Sequence, residues 1–280
     1  MAGTLYVVGT PIGNLSDFSP RAIQTLQEVD FIAAEDTRVT QKLLSYFQIK
    51  KPMISYYQHN LRERGEEILA RIESGENCAI VTDAGMPCIS DPGEDLVSLC
   101  AERNIRAIVI PGPSAAISAL AVSGLSTARF CFEGFLSTNH KNRMEHLRQI
   151  AGDRRTLIFY EAPHKLVYTL QDMLQVLGDR RIALCRELTK LHEEIIRTTF
   201  SGALALYREK SPRGEYVLII EGAPEPEKTS LTLEDAAAQV KKLRESGLSV
   251  SDAAKQVAKE TGYKKGDLYR LALEGDGVPS

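Results

Sequence analysis

The cysteines of this sequence lack the pattern that a metal site or a disulfide scaffold needs. Five cysteines are present, an odd number, and none of them stands in a close CxxC pair. Neither a zinc site nor a disulfide framework follows from such scattered cysteines. His59 also has no second histidine or carboxylate at ligand spacing, which favours a hydrogen-bonded loop residue. We therefore expect reduced, mostly buried cysteines and no bound metal.

Long apolar stretches are also missing. The longest apolar run, around residues 119–122, is too short to span a bilayer. The chain opens directly on an apolar strand, without a charged leader followed by an apolar core. We expect a cytoplasmic protein with no membrane partner.

Neither sign of charge dominates. The 34 Lys and Arg residues nearly balance 37 Asp and Glu residues, so the net charge is only −3 at pH 7. This argues against a surface coated with positive charge but leaves room for a local basic patch. Residues 139–155 form the one lopsided segment, because their Lys and Arg residues outnumber Glu145 and Asp153. The alternative is an ordinary solvated helix face, which is usual for runs of charge.

The order of apolar runs predicts an α/β fold. The composition is typical of globular proteins, and 280 residues are enough for two domains. Strands at 4–8, 31–34, 79–81 and 106–110 alternate with helices, which predicts a doubly wound parallel sheet. The pattern restarts near residue 130. Segments 194–200 and 215–220 lack long intervening helices, so we expect a mixed sheet with antiparallel pairs there.

These patterns divide the chain into three domains and a linker. We place an α/β domain at residues 1–126, a second α/β domain at 127–223, and a polar, proline-bearing linker at 224–230. Residues 231–280 form a small helical domain, with helices at 233–245, 250–260 and 265–273. A helix-turn-helix arrangement can bind nucleic acid. Eight basic and eight acidic residues balance in that domain, so charge does not separate RNA binding from a packing role.

The stretch AIVTDAGMPCISDPG, at residues 79–93, is the centre of the first domain. A buried strand ends in Thr82 and Asp83, and a loop rich in Gly, Pro and Asp follows. Ligands of open α/β sheets bind beyond the carboxyl ends of the strands, where such loops expose backbone N–H and C=O groups. The alternative is a plain strand-to-helix connection in which Asp91, with Pro92 and Gly93, caps the next helix, at residues 94–103.

Two further loops of small residues follow strands of the same predicted sheet. The first contains Gly9, Pro11 and Gly13, and its spacing matches neither GxGxxG nor a Walker loop. The second is a turn at residues 111–113, after which Ser114 can cap a helix of small residues. Each loop alone is a weak signal.

Taken together, the loops resemble the tetrapyrrole methylase superfamily. The matching segments occur in its order and spacing: VGTPIGNL, AEDTR, TDAGMPCISDPG, IPGPSA, FEGFL, YEAPHK and RELTKLHE. With the helical tail, they resemble the branch that methylates small-subunit ribosomal RNA. The resemblance implies a class III S-adenosylmethionine methyltransferase that works as a homodimer, with the cofactor between two α/β domains. The implied product is a 2′-O-methylated cytidine in the decoding region of 16S ribosomal RNA, and the expected partner is this RNA within the small ribosomal subunit.

The resemblance also implies a set of site residues. Cofactor contacts, mainly through the main chain of strand-end loops, are expected at Pro11, Asp83, Gly85, Met86, Ser114, Ala115, Ala162 and Ala223. Small residues at such positions let the backbone approach a ligand closely. RNA contacts are expected on the separate ground of charge: Lys141 and Arg143 belong to the basic segment, and three further cations stand near strand-end carboxylates in the sequence, Arg38, Lys165 and Lys190.

The catalytic base is not assigned by the sequence. Four carboxylates at predicted strand ends are candidates for removing the hydroxyl proton: Glu35, Asp36, Glu161 and Glu187. Each of them is more often a positioning or structural group than a base. Two other functions also stay open: a sister enzyme that methylates a tetrapyrrole or a modified amino acid, and a non-catalytic ribosome-binding module.

Overall fold

The computed structural model describes residues 2–57, 59–225 and 231–274. Within it the chain divides into two compact units, Met1–Ala223 and Pro224–Ser280. Most of the predicted linker at 224–230 lies outside the described residues, as do the last six residues of the predicted helical domain. The predicted division of the first unit at residue 126 stays a prediction.

The first sheet is parallel, as its alternation with helices predicts. Its strands and helices are β1 (Thr4–Val8), α1 (Pro20–Glu28), β2 (Phe31–Ala34), α2 (Thr37–Tyr46), β3 (Met53–Ser55), α3 (Leu61–Glu73), β4 (Cys78–Val81), α4 (Glu94–Glu102) and β5 (Arg106–Ile110). The strand order is β3-β2-β4-β1-β5. Alternate residues of the central strands pack on opposite faces: Ala33 and Ile80 lie in one apolar core, Ile32 and Ala79 in the other. The carboxyl ends of all five strands therefore lie at the same edge of the first sheet.

Strand β3 is absent from the sequence-based prediction, which has four strands in this sheet. It is three residues long, none of them fully buried, and it pairs only with β2. Such a short edge strand carries no clear period-two pattern. Its presence places the following loop, which includes Tyr57 and His59, beside the carboxyl end of β2.

The second sheet is mixed, and the predicted antiparallel pairing is confirmed. Its strands and helices are β6 (Phe130–Phe135), α6 (His140–Ile150), β7 (Thr156–Glu161), α7 (Leu166–Leu177), β8 (Arg181–Arg186), β9 (Glu194–Thr199), α8 (Phe200–Glu209) and β10 (Tyr216–Ile220). Strand β10 lies between β7 and β8 and runs antiparallel to both. The start of β10 therefore lies at the edge where β7 and β8 end.

One helix from the first predicted domain packs on the second sheet. This helix, α5 (Ala115–Ser123), follows β5, and its Ala119 and Leu120 share an apolar core with Ile158 and Val217 of the second sheet. Its small side chains allow this close packing. The chain thus crosses from one sheet to the other at residues 111–114, which are the predicted ligand loop.

The second unit contains three helices among its described residues, close to their predicted bounds. They are α9 (Leu233–Glu245), α10 (Val250–Thr261) and α11 (Lys265–Glu274). Thr232 and Asp235 form a reciprocal capping box at the start of α9, and Ser249 caps α10. No helix in the described part of the chain is long and apolar enough to cross a bilayer.

The loops after β1, β4 and β5 are held together by close backbone contacts. Thr10 and Gly85 exchange two backbone hydrogen bonds, of 2.8 and 3.2 Å. A Cβ atom on Gly112 would lie only 2.8 Å from the Cα atom of Gly9. Glycine at both positions therefore permits a separation that no other residue allows.

We expect Gly112→Ala to lower the free energy of unfolding by about 1–3 kcal/mol, because an added methyl group must push two backbones apart. Denaturant unfolding measures the change. Gly152→Ala is the matched control, since no atom lies within 4 Å of its added Cβ. Equal stability of the two variants would contradict the proposed close packing of the loops.

Candidate active site

A cleft of about 580 Å³ lies between the carboxyl edge of the first sheet and the second sheet. The first sheet contributes Ile12, Glu35 and residues 82–86 and 89–91, whereas the second contributes residues around Tyr160 and Val217. A volume of this size suits a small-molecule ligand. The cleft lies at the sheet edge that the sequence predicts for ligand binding.

The loop after β4 has an unusual backbone conformation. Gly85 and Gly93 have φ angles of +90° and +127°, and the non-glycine residues Cys88 and Ser90 also have positive φ angles, of +70° and +63°. Such angles cost energy for residues with a side chain and often occur at functional sites. Gly93 is the N-cap of α4, without a side-chain hydrogen bond. The alternative interpretation, a cap formed by Asp91 with Pro92 and Gly93, is therefore confirmed for Gly93 and wrong for Asp91, which lines the cleft.

Three carboxyl groups form an acidic floor. Glu35 accepts a hydrogen bond of 2.5 Å from the Thr82 hydroxyl, and Asp83 accepts one of 3.2 Å from the Asp36 N–H. Burial raises the pKa of Asp91 to about 6, and the charges of Glu35 and Asp83 act in the same direction. Burial, together with the charge of Glu35, also raises the pKa of Asp83. This floor favours a cationic ligand.

The acidic floor is not arranged as a metal centre. Across the described ranges, no three His, Cys, Asp or Glu side chains are grouped to hold a metal ion.

Asp36 has a structural role at the first turn of α2. Its carboxylate accepts a hydrogen bond of 2.8 Å from the Arg38 N–H, and this bond caps the helix. Both carboxylate oxygens also bind the Arg38 guanidinium, at 3.0 and 2.6 Å. These bonds with Arg38 lower the pKa of Asp36 to about 2. A carboxylate held so strongly in its charged form is a poor proton acceptor. The Arg38 side chain itself is 87% exposed.

Glu161 is also engaged within the protein. It is only 4% exposed, and its two oxygens accept hydrogen bonds from the Ala162 N–H at 2.8 Å and from the Thr169 hydroxyl. Glu161 therefore fixes the loop after β7 to helix α7. It lines the cleft as a positioning residue.

Glu187 joins the end of β8 to the start of β10. Its Oε1 atom accepts two hydrogen bonds, one of 2.9 Å from the Glu215 N–H and one of 3.0 Å from Lys190 Nζ. Burial alone would raise the pKa of Glu187, but these bonds lower it in sum. Lys190 also pairs with the Glu215 carboxylate at 2.8 Å. The predicted RNA contact Lys190 thus lies in the cleft, between two acids.

Six of the eight predicted cofactor positions line the cleft. They are Asp83, Gly85, Met86, Ser114, Ala115 and Ala162. Ser114 is the N-cap of α5 through its backbone, but its hydroxyl makes no capping bond. The Met86 side chain packs against the loop after β5, because its sulfur accepts a hydrogen bond of 3.3 Å from the Gly112 N–H.

The other two positions lie elsewhere. Pro11 is buried in the loop after β1 and does not line the cleft. Ala223 lies at the opposite edge of the second sheet, where its N–H donates to the Asp153 carbonyl at 2.6 Å. The expectation that Ala223 follows a strand ending at the cleft needs correction, because β10 is antiparallel and begins there.

The predicted RNA contacts outside the cleft differ in their availability. Arg143 is largely buried, and its Nε atom pairs with Asp172 at 2.6 Å. We therefore leave Arg143 out of the proposed RNA surface. Arg155 likewise pairs with Asp153. Lys141 is exposed on α6, and Lys165 is the N-cap of α7.

Several residues that line the cleft have no predicted binding or catalytic role. Phe135 is 56% exposed, and its ring centroid lies 5.4 Å from that of Tyr160. His164 lines the same wall, and Asp91 lies on the floor. The signal for Asp91 and His164 was present, since both stand inside the quoted segments TDAGMPCISDPG and YEAPHK.

Comparison with protein families gives two matches. The family of Tetrapyrrole (Corrin/Porphyrin) Methylases matches residues 4–203, and the RsmI C-terminal HTH domain matches residues 232–276. The match to the first family covers more than half of the chain.

Curated relatives match nearly the whole chain. Proteins named Ribosomal RNA small subunit methyltransferase I include one from Synechocystis sp., 50% identical over 97% of this chain and 98% of its own. One from Escherichia coli O157:H7 is 45% identical over 98% and 96%, respectively. One from Thermotoga maritima is 47% identical over 79% of this chain and 99% of its own. This last relative is therefore the shorter protein.

Solved structures with a similar fold are more distant in sequence. A cobalamin biosynthetic enzyme, cobalt precorrin-4 methyltransferase, has a TM-score of 0.58 at 18% identity, over 80% of this chain and 96% of its own. A diphthine synthase has a TM-score of 0.58 at 12% identity, over 78% and 89%. At these identities the likeness shows the fold alone.

The raised pKa of Asp91 predicts a specific pH dependence of stability. The unfolded chain releases the Asp91 proton near the ordinary value of 3.8, whereas the folded chain holds it up to about pH 6. Raising the pH through this window therefore favours the unfolded state. Asp91→Asn should match the parent protein below pH 3.8 and become the more stable of the two as the pH approaches 6.

Thermal unfolding across this range measures the effect. Asp179→Asn is a control of opposite sign, because hydrogen bonds from Ser201 lower the pKa of Asp179. The stability that Asp179→Asn loses relative to the parent protein should grow as the pH rises toward 3.8, the ordinary pKa of aspartate. A stability change in Asp91→Asn that does not vary with pH would contradict the prediction.

Proposed function

Because this chain belongs to the tetrapyrrole methylase family, we propose that it methylates the 2′-hydroxyl of a cytidine in 16S ribosomal RNA, using S-adenosylmethionine. The cytidine is one in the decoding region of the small subunit. The observation that carries the proposal is the cleft, whose acidic floor and apolar walls meet at the carboxyl edge of the parallel sheet. The names of the near full-length relatives support RNA as the substrate.

The cleft residues fit the charge pattern of S-adenosylmethionine. Asp83, Asp91 and Glu35 would face its cationic sulfonium and ammonium groups. The N-terminus of α5, where the Ser114 hydroxyl makes no capping bond, would receive its carboxylate. The apolar wall around Ile12, Leu188 and Val217 would receive the adenosine. When bound, the cofactor supplies the reactive methyl group.

The protein's own task is to place the ribose oxygen and to accept its proton. Placement in line with the methyl group and exclusion of water both lower the barrier of such transfers. Glu35 and Asp91 line the cleft without an ion-pair partner among the described residues. Asp91, with a pKa of about 6, is ionised at pH 7 and remains basic enough to take a proton. Asp36 and Glu161 hold the loops in place.

An RNA base has a surface to stack on at the same cleft. The exposed face of Phe135, supported by Tyr160, suits a base that has been turned out of its stack. Arg38, in the first turn of α2, and Lys165, the N-cap of α7, lie just beyond the ends of β2 and β7, where they would approach the RNA backbone. Exposed Lys141 extends the same proposal to α6. The helical second unit, matched by an HTH family, would add further RNA contacts.

The predicted homodimer is part of the proposal. Val109, on the edge strand β5, and Ile117, on α5, are both about half exposed. A second copy of the chain would cover these apolar side chains. We also propose the cytoplasm as the location, because ribosomal subunits are the substrate. A sister activity on a tetrapyrrole or an amino acid is the alternative, and the distant structures leave it open.

We expect Asp83→Ala to weaken S-adenosylmethionine binding by about 10- to 100-fold, because a charged hydrogen-bond partner contributes roughly 1.5–3 kcal/mol. Titration calorimetry measures the affinity. The neutral product S-adenosylhomocysteine should lose less affinity. Asp17→Ala, at an exposed aspartate outside this cleft, is the matched control. Unchanged affinity in Asp83→Ala would reject the assignment.

The activity itself is tested by transfer of labelled methyl groups from S-adenosylmethionine. Unmodified small ribosomal subunits, naked 16S ribosomal RNA and a tetrapyrrole serve as parallel acceptors. The expected result is label in the ribose of one cytidine, with the intact subunit as the better acceptor. Label in the tetrapyrrole alone would favour the sister enzyme. Tight cofactor binding without any transfer would favour a non-catalytic module.

A further inference from the structure

The charge of the cleft does not suit RNA. Its lining holds six carboxyl groups and a single lysine, Lys190. RNA carries a negative charge on every nucleotide, so the acidic floor that suits a cationic cofactor repels the backbone of the proposed substrate. Cations close to the cleft must therefore hold the backbone while the ribose enters.

A second pocket, of about 400 Å³, lies at the edge of the second sheet that also borders the cleft. Tyr216 lines both of them. The second pocket contains three cationic side chains, Arg186, Lys210 and Arg213, and one carboxylate, Glu194. The two sites share one sheet edge, because Arg186 directly precedes the cleft residue Glu187 and Arg213 lies two residues before the cleft residue Glu215.

Two of the three cations lack a close carboxylate. Arg186 is engaged, since its Nη1 atom pairs with Glu194 at 3.2 Å and its Nε atom donates to the Arg213 carbonyl at 2.7 Å. Lys210 comes no closer than 4.0 Å to Glu194. The Arg213 guanidinium has no hydrogen-bond or ion-pair partner within the part of the chain that the structure describes. The pocket therefore has an excess of two positive charges.

A buried hydroxyl adds a neutral donor to these cations. Tyr216 is only 3% exposed, and its oxygen accepts from the Tyr207 hydroxyl at 3.2 Å and from the Arg213 N–H at 3.3 Å. Both of these bonds use the oxygen as an acceptor, which leaves the Tyr216 proton to donate into the pocket. The Tyr207 hydroxyl is protonated at neutral pH, as tyrosine ordinarily is, and can donate to Tyr216.

We propose that this pocket binds a backbone phosphate of the RNA substrate, next to the nucleotide whose ribose enters the cleft. The inference rests on the proposed function. Guanidinium, ammonium and hydroxyl donors are the usual partners of phosphate oxygens, and such contacts fix the register of a nucleic acid. A phosphate held here places the adjoining ribose at the cleft without bringing the backbone over the acidic floor.

The test compares RNA binding by variants of the full-length protein. Lys210→Gln/Arg213→Gln should raise the Kd for 16S ribosomal RNA by about 10- to 100-fold at low salt. The slope of log Kd against log salt should fall by about 0.7, the value for one phosphate of a single strand. Lys50→Gln/Arg106→Gln is the matched control, because it removes the same charge from exposed residues at the amino edge of the first sheet. That control should bind RNA like the parent protein.

A third variant changes the charge in the opposite direction. Glu194→Gln removes the only carboxylate of the pocket while keeping an amide that can bond to Arg186, so it should tighten RNA binding several-fold. S-adenosylmethionine affinity should stay unchanged in Lys210→Gln/Arg213→Gln, which would show that the cleft is intact.

The failures are distinguishable. If the parent protein methylates 16S ribosomal RNA but the double variant binds RNA with parental affinity and salt slope, the pocket assignment is overturned and the proposed function stands. If the parent protein transfers no methyl group to RNA, the proposed function fails and the inference fails with it. A titration with inorganic phosphate, monitored by NMR, tests whether the pocket binds a free anion instead of an RNA phosphate. Loss of phosphate binding with unchanged RNA binding would also overturn the inference.

Discussion

The cleft depends on the close approach of the backbone loops that follow β1, β4 and β5. Gly9 and Gly112 are in contact through their backbones, and Thr10 pairs with Gly85. This contact fixes the loop after β4, whose positive φ angles turn Asp83 and Asp91 toward the ligand space. It also fixes the point where the chain leaves the first sheet and continues into α5, which packs on the second sheet. The walls of the cleft are thus built by the same residues that join the sheets.

Electrostatics divide the proposed work between two neighbouring sites. Several carboxyl groups lie close together in the cleft, and their burial and mutual repulsion disfavour the ionised forms. This free-energy cost raises the pKa values of Asp83 and Asp91. A cationic cofactor would relieve that cost, because an opposite charge favours the ionised form. The same negative charge cannot hold RNA. The pocket around Arg213 provides the opposite charge. It shares Tyr216, the first residue of β10, with the cleft.

The candidate site was partly predictable from the sequence. The segments that resemble the tetrapyrrole methylases locate most of the cleft, because each follows a strand whose apolar pattern is clear. The roles of single residues were less predictable. Asp36 and Glu161 looked equal to Glu35 at strand ends, yet Asp36 is ion-paired with Arg38, and Glu161 is only 4% exposed with both oxygens bonded inside the protein. Arg143 looked like an exposed cation, but it pairs with Asp172, which is 29 residues away in the chain.

The sequence by itself determined the regular strands and helices, the order of the loops and the family, because all of these follow from residues that are close together in the chain. Only the tertiary structure decided the direction of β10, which moves Ala223 away from the cleft and brings Tyr216 to it. It alone decided that Asp91 lines the cleft instead of capping α4, and that no described carboxylate pairs with the Arg213 guanidinium. These outcomes depend on which distant segments pack together, and local periodicity contains no information about such contacts.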